Sequence, residues 1–157
     1  MITPDEERFH HIATCISRLH SALETLRTIK AASPDDPLIP PAFRFAIVEY
    51  VSAFTRSDGQ VKKNYTLGDK HVPPKYLDLH KRLKTARNSV HAHSDLKIMS
   101  AQFKAIGTRA NPAAEIRGCY INELKELQNI DQIISLINES INNVYVDRDT
   151  QLKALTP

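Results

Sequence analysis

Apolar residues recur at alternating intervals of three and four positions along four stretches of the chain, and this spacing limits the fold more than any other feature. Such spacing lines up apolar side chains on one face of an α-helix. The positions are Phe9, Ile12, Ile16, Leu19, Leu23 and Leu26 in the first stretch, Phe43, Ile47, Tyr50 and Phe54 in the second, Tyr76, Leu79, Leu83, Ala86 and Val90 in the third, and Leu127, Ile130, Ile134, Ile137, Ile141 and Val144 in the fourth. The sequence therefore predicts a mainly α fold, a four-helix bundle.

Helix-starting and helix-ending residues bound these four stretches. The first begins at residues 3–6, where Thr3 can cap the helix, proline suits the first helical position and Glu6 can return a capping bond. It ends before residues 33–34. We expect the second helix to run from about residue 41 to the turn at 57–59, the third to start at the prolines of 73–74, and the fourth to cover about 122–146.

The connections between the helices differ in composition. Residues 34–41 contain four prolines and are expected to form a connector, whereas residues 57–74 are polar and basic, which predicts a loop with a short helical turn. Across residues 96–120 the helical period is lost. Residues 98–106 and 115–121 have a strand-like composition, so the insert between the third and fourth helices is either a β-hairpin or irregular.

The length and composition indicate an ordinary globular protein. Its 157 residues fit one domain, so we expect a single domain over residues 1–157. The first residues lack the features of a secretory signal, and no apolar stretch reaches the roughly 20 residues that span a bilayer. Cys15 and Cys119 have no metal-binding spacing, and Cys15 falls near the first apolar face, where we expect it in the core. We expect a cytoplasmic protein without a membrane partner, and no motif indicates a cofactor.

A polar stripe accompanies the third apolar face. His80, Lys84, Arg87 and His91 recur at intervals of four, three and four, which places them on one side of a helix beside the apolar residues. One interpretation is a solvated charged face. The other is a partly desolvated site at the margin of the bundle, where histidine exchanges protons near neutral pH and arginine binds a phosphate through two hydrogen bonds.

The end of this stretch, Arg87-Asn88-Ser89-Val90-His91-Ala92-His93-Ser94-Asp95, resembles the Arg-Asn-x-x-x-Ala-His-x-Asp signature of HEPN-type helical proteins. In that superfamily an arginine followed by a polar residue precedes a histidine by four to six intervening residues, and five residues intervene here. The segment Tyr50-Val51-Ser52-Ala53-Phe54-Thr55-Arg56-Ser57 is also similar to a helix end in abortive-infection-like members.

The resemblance implies a metal-independent RNA endonuclease of toxin or phage-defence type, acting as a homodimer and in some cases controlled by an antitoxin protein. It implies that Arg87 binds the scissile phosphate, Asn88 orients the phosphate or the histidine, and His93 transfers a proton. His91, Asp95 and Tyr50 would support the site. Cleavage would leave a 2′,3′-cyclic phosphate without magnesium. The alternative is a non-catalytic HEPN-like module that dimerises or binds a nucleotide.

Helix geometry constrains this motif. Arg87 and His93 are six positions apart, about 600° along an ideal helix, and do not share a face, whereas Arg87 and His91 do. We therefore expect the helix to end or distort near residues 89–92, or a second subunit to complete the site. His91, His93 and Asp95 alternate and diverge on a helix, so no metal site is expected.

Basic residues dominate the segment from 60 to 87. It contains Lys62, Lys63, Lys70, Lys75, Lys81, Arg82, Lys84 and Arg87 against Asp69 and Asp78. This excess suits a phosphate backbone, although such clusters are often only solvated surface. Lys81, Arg82 and Lys84 are the candidate RNA contacts.

Overall fold

The computed structural model describes residues 2–61, 64–88, 102–117 and 124–155. These residues form a mainly helical protein, as predicted, with a two-stranded sheet in the insert, one of the two alternatives that the sequence left open. The helices are α1 (Pro4–Ala31), α2 (Ile39–Ala53), α3 (Leu77–Ala86) and α4 (Ile130–Leu155), and the strands are β1 (Gln102–Ala105) and β2 (Ala114–Arg117). Short 3-10 turns cover Asp69–His71, Pro74–Tyr76 and Lys125–Asn129. No helix of the described ranges is long and apolar enough to cross a membrane.

Helix α1 begins with the predicted capping box and carries the longest buried face. Glu6 Oε2 accepts a hydrogen bond from the Thr3 backbone N–H at 2.7 Å, and Thr3 Oγ1 accepts one from the Glu6 N–H at 3.3 Å. Both α2 and α4 pack along α1. The buried apolar residues of α1 are Ile12, Cys15, Ile16, Leu19, Ala22, Leu23, Leu26 and Ile29.

The buried face of α4 agrees with the predicted one at Ile137, Ile141 and Val144 and differs from it nearer the start of the helix. Ile133 and Leu136 are fully buried, whereas Leu127, Ile130 and Ile134 are only partly buried. Neighbouring isoleucines at 133 and 134 satisfy the helical period equally well, so spacing alone does not decide which one faces α1. The helix also continues to Leu155 because residues 147–155 contain no glycine or proline to end it.

Helices α2 and α3 also depart from their predicted bounds. Helix α2 begins at Ile39, with prolines in its first turn, a place that proline favours. A 3-10 turn follows Pro73, so α3 itself begins at Leu77. After Ala86 the chain continues through residues 87 and 88 in a π-type turn, and the predicted core residue Val90 lies outside the described residues.

The insert forms a β-hairpin where it is described. Strands β1 and β2 pair antiparallel, with Lys104 opposite Glu115. At the turn, a Cβ on Gly107 would lie 2.2 Å from the carbonyl oxygen of Asn111, so only glycine fits. Residues 104–114 are all exposed, which places the hairpin outside the core. Strand β1 lies within the predicted range 98–106 and β2 overlaps the predicted range 115–121, while the predicted strand residues 98–101 and 118–121 lie outside the described residues.

The connection between α2 and α3 is fixed to the helices by polar contacts. Ser57 and Tyr65 exchange backbone hydrogen bonds of 2.8 and 3.0 Å. The buried carboxylate of Glu7 accepts bonds from the backbone N–H groups of Gln60 and Val61 and from the Tyr65 hydroxyl. Further along, the predicted helical turn is the 3-10 turn Asp69–His71. His71 Nε2 lies 3.1 Å from Asp147 Oδ2 and joins this turn to α4.

Leu19→Ala tests whether α1 is the centre of the core. Leu19 is 0% exposed, so we expect truncation to lower the free energy of unfolding by about 3 to 5 kcal/mol. Leu38→Ala, at a leucine that is 68% exposed, should change it by less than about 0.5 kcal/mol. Urea unfolding of both variants provides the measurement, and equal effects would contradict this assignment of the core.

Candidate functional site

Arg87 and Asn88 lie together where α3 passes into its π-type turn. The Arg87 N–H bonds to the carbonyl groups of Leu83 and Lys84, and Arg87 Nη1 donates to Asn88 Oδ1 at 3.0 Å. Arg87 is half-buried and its Nε has no hydrogen-bond partner among the described residues. Because that Nε atom is itself buried, an anion would have to contact the terminal nitrogens Nη1 and Nη2, of which Nη1 already donates to Asn88.

The other motif residues, His91, His93 and Asp95, lie outside the described residues. The predicted distortion near residues 89–92 lies there too. The π-type turn begins at Arg87, two residues earlier than the predicted distortion. Arg87 itself keeps α-helical backbone angles, φ −59° and ψ −48°, so its position still follows the helical geometry of α3. Turns of the π type occur often at functional sites.

His80 is fully buried rather than at the margin of the helices, where the polar stripe placed it. Its Nδ1 lies 2.7 Å from the Tyr50 hydroxyl oxygen on α2, and its Nε2 lies 3.3 Å from Asp69 Oδ1. The Phe54 ring packs edge-on, 4.7 Å between centroids. A histidine fits in the core here because both of its ring nitrogens have hydrogen-bond partners.

The hydrogen bonds of His80 fix its tautomer. The Asp69 carboxylate only accepts hydrogen bonds, so Nε2 carries the proton and Nδ1 accepts from the Tyr50 hydroxyl. Lys84 Nζ also lies 3.5 Å from Asp69 Oδ1. A continuous chain of polar contacts, which we call the Tyr50–His80–Asp69 relay, thus runs from the core at Tyr50 to half-exposed Asp69 and Lys84.

The surroundings of the relay keep His80 neutral and Tyr50 protonated. Burial lowers the pKa of His80, and the charge of Asp69 only partly opposes this effect. Burial raises the pKa of Tyr50, and the nearby negative charge of Asp69 raises it further. For Asp69, slight burial acts to raise the pKa, but the positive charge of Lys84 and the contact with His80 outweigh it and leave the pKa lowered.

The candidate RNA contacts on α3 fall into two groups. Arg82 Nε and Nη2 bond to the two oxygens of Glu126, at 2.8 and 3.3 Å, and Asn129 Nδ2 bonds to the same carboxylate at 2.8 Å. Since Glu126 is buried, this ion pair joins α3 to the 3-10 turn before α4. Lys84 contacts Asp69, whereas Lys81 is exposed.

The basic excess predicted for residues 60–87 is reduced by carboxylates elsewhere in the chain. Lys70 lies 3.3 Å from Asp147, and Lys75 lies 2.8 Å from Glu139, both on α4. Together with Arg82 and Lys84, four of the predicted cations contact an acid. A charge count over residues 60–87 could not reveal these ion pairs, because two of the acids, Asp147 and Glu139, lie on α4 and a third, Glu126, lies in the turn before it. Lys62 and Lys63 lie outside the described residues.

Two further kinds of site can be checked among the described residues, a metal site and a reactive thiol. Within the described ranges, no group of three or more His, Cys, Asp or Glu side chains could hold a metal ion. Cys15 is in the core, as predicted, and its Sγ donates to the Ala53 carbonyl group at 3.3 Å. Burial raises the pKa of this thiol to about 11, which keeps it protonated and unreactive.

Sequence reasoning missed Asp69, Glu126 and Glu7 as anchoring carboxylates. Each contacts residues distant in the chain, from 11 positions for Asp69 and His80 to 58 for Glu7 and Tyr65. Helical spacing carries no signal for such contacts. Comparison of the chain with protein-family models, curated proteins and solved structures finds no match.

Arg82→Ala tests whether Arg82 is mainly structural. It leaves the buried Glu126 carboxylate without its main partner, so we expect a loss of about 1 to 3 kcal/mol in the free energy of unfolding. Lys81→Ala, one position earlier and exposed, should change it by less than about 0.5 kcal/mol. Urea unfolding measures both, and an unchanged stability of Arg82→Ala would show that its bonds to Glu126 contribute nothing.

The buried imidazole of His80 predicts a loss of stability in acid. The ordinary histidine pKa is 6.5 and that of folded His80 is lower, so below pH 6.5 the unfolded chain binds the proton more readily. The free energy of unfolding should therefore fall as the pH drops through 6.5, until the folded pKa is passed. We expect His80→Gln to flatten this fall, and the exposed-site control His10→Gln to retain it, in urea unfolding over a pH series.

Proposed function

We propose that the protein is a metal-independent RNA endonuclease of toxin or phage-defence type, working in the cytoplasm as a HEPN-like homodimer. The observation that carries the proposal is the Arg87–Asn88 pair at the end of α3. Its guanidinium group is held on one side by an amide oxygen at 3.0 Å and retains donors for a phosphate. The resemblance of residues 87–95 supplies the rest of the proposed site.

In the proposed mechanism Arg87 binds the scissile phosphate and stabilises the negative charge that develops on its oxygens in the transition state. Asn88 keeps the guanidinium plane oriented. His93 takes the proton of the RNA 2′-hydroxyl as that oxygen attacks the neighbouring phosphorus. The bond from phosphorus to the 5′-oxygen breaks, and that oxygen takes up a proton from protonated His93 or from water, leaving a 2′,3′-cyclic phosphate and a 5′-hydroxyl end. His91 and Asp95 would support His93.

The fold is compatible with this proposal. Helices α1, α2, α3 and α4 would be the four helices of a HEPN-like bundle, and the hairpin its insert. Exposed Lys81 also lies on α3, on a different face from Arg87 because six positions separate the two residues, and would contact the RNA backbone away from the scissile phosphate. A second copy of the chain would bring a second Arg87 to the site, and an antitoxin protein would be a partner that blocks it.

A non-catalytic dimeric module, for interaction or nucleotide binding, is the second candidate. The observation that favours it is the use of Arg82 and Lys84 in contacts with Glu126 and Asp69. Cations bonded within the protein are less available to RNA. In this alternative Arg87 ties the end of α3 to neighbouring residues, and its loss would reduce stability or dimerisation instead of cleavage.

Cleavage of total RNA with EDTA present tests the proposal. We expect the wild type to cleave, and Arg87→Ala and His93→Ala each to lose at least about a hundredfold in rate while remaining folded dimers. Arg27→Ala and His10→Ala, at exposed sites on α1, are the matched controls and should cleave like wild type. Detection of 2′,3′-cyclic phosphate ends identifies the chemistry.

The two candidates differ in what the variants lose. Full RNA cleavage by Arg87→Ala and His93→Ala would rule out the proposed roles of both residues. Loss of the dimer or of stability in these variants, measured by light scattering and thermal unfolding, without any cleavage by wild type, would favour the non-catalytic module.

A further inference from the structure

We infer that His80 is a positioning residue for the Arg87–Asn88 pair, and that the Tyr50–His80–Asp69 relay sets the rotation of α3 about its own axis. The inference rests on the proposed function, because it assigns a role at the same site. Helix α3 has only 10 residues, too few to be stable alone, so its position depends on its anchors.

The anchors of α3 differ in what they restrain. Its buried residues are Leu79, His80 and Leu83. Apolar contacts are non-directional and allow small rotations of a helix. His80, in contrast, has hydrogen bonds on opposite sides of its ring, to Tyr50 on α2 and to Asp69 in the 3-10 turn. Lys84, one turn further, contacts the same Asp69 carboxylate from outside.

A rotation of α3 about its axis that moves His80 also moves Arg87. The two residues are seven positions apart, so an ideal helix places them within about 20° of the same face. A rotation of α3 by 20° moves an atom at the outer radius of a helix by about 2 Å. Misplacement by 1 Å can reduce the rate of a catalysed reaction by about a hundredfold. The hydrogen bonds of His80, on the same face as Arg87, therefore contribute to placing Arg87 against the phosphate, alongside the Arg82–Glu126 ion pair on another side of α3.

The orientation of α3 also depends on the protonation state of His80. Tyr50 on α2, Asp69 in the 3-10 turn and Lys84 on α3 are the charged or titratable groups that face His80 in the described structure. Protonation places a hydrogen on Nδ1, where the Tyr50 hydroxyl now donates. The buried Tyr50 proton then loses its acceptor, so Tyr50 or α3 must shift.

NMR titration of the full-length protein labelled with ¹⁵N tests the coupling. The Nε–H signal of Arg87, assigned by its loss in Arg87→Lys, should shift with the same midpoint as the His80 ring. In Asp69→Asn both midpoints should move together to lower pH, because the carboxylate that favours the imidazolium is gone. Asp78→Asn, which removes an exposed carboxylate in the first turn of α3, should leave both midpoints unchanged. An Arg87 signal that does not follow His80 would overturn the inference.

RNA cleavage separates this inference from the proposed function. We expect Tyr50→Phe, folded by circular dichroism, to cleave about tenfold to a hundredfold more slowly than wild type, with kcat more affected than KM. Equal cleavage by Tyr50→Phe and wild type would overturn the positioning role and leave the ribonuclease proposal standing. Coupled His80 and Arg87 titrations in a wild type that cleaves no RNA would overturn the ribonuclease proposal and support the coupling.

Discussion

The apolar face of α1 is the constraint on which the rest of the structure depends. Both α2 and α4 pack along it, and the buried residues of all three helices form one core. Burial of this surface supplies most of the favourable free energy of folding. The remaining parts, the connection after α2, helix α3 and the hairpin, are placed relative to this core by more local contacts.

Helix α3 is held in a different way from the long helices. It is short, buries few apolar residues, and is joined to its neighbours by the contacts of His80 with Tyr50 and Asp69 and by the Arg82–Glu126 ion pair. Polar contacts are directional, so they fix orientation where apolar packing is sparse. The candidate site thus lies at the end of an element whose orientation depends mainly on polar contacts.

The sequence predicted much of the fold, because apolar spacing is a local signal that persists in the folded chain. The capping box at Thr3 and Glu6 and the buried face of α1 followed from residues close together in sequence. Which of Ile133 and Ile134 is buried could not be predicted in this way, because that depends on where α1 lies. The sequence predicted His80 at the margin of the helices because a polar ring is buried only where its nitrogens have hydrogen-bond partners. One of these partners, Asp69, lies across a turn, so helical spacing does not reveal it. For the candidate site, spacing placed Arg87 on the polar stripe and the resemblance added Asn88, but neither could show that Arg82 and Lys84 contact carboxylates.

The Glu7 carboxylate has a consequence for the order in which the chain acquires its structure. It organises residues 60, 61 and 65 from the first turn of α1, more than fifty positions earlier. Because a ribosome releases the N-terminal part first, Glu7 leaves it before the segment that this carboxylate holds. The contact closes the connection after α2 onto a residue that the growing chain already contains.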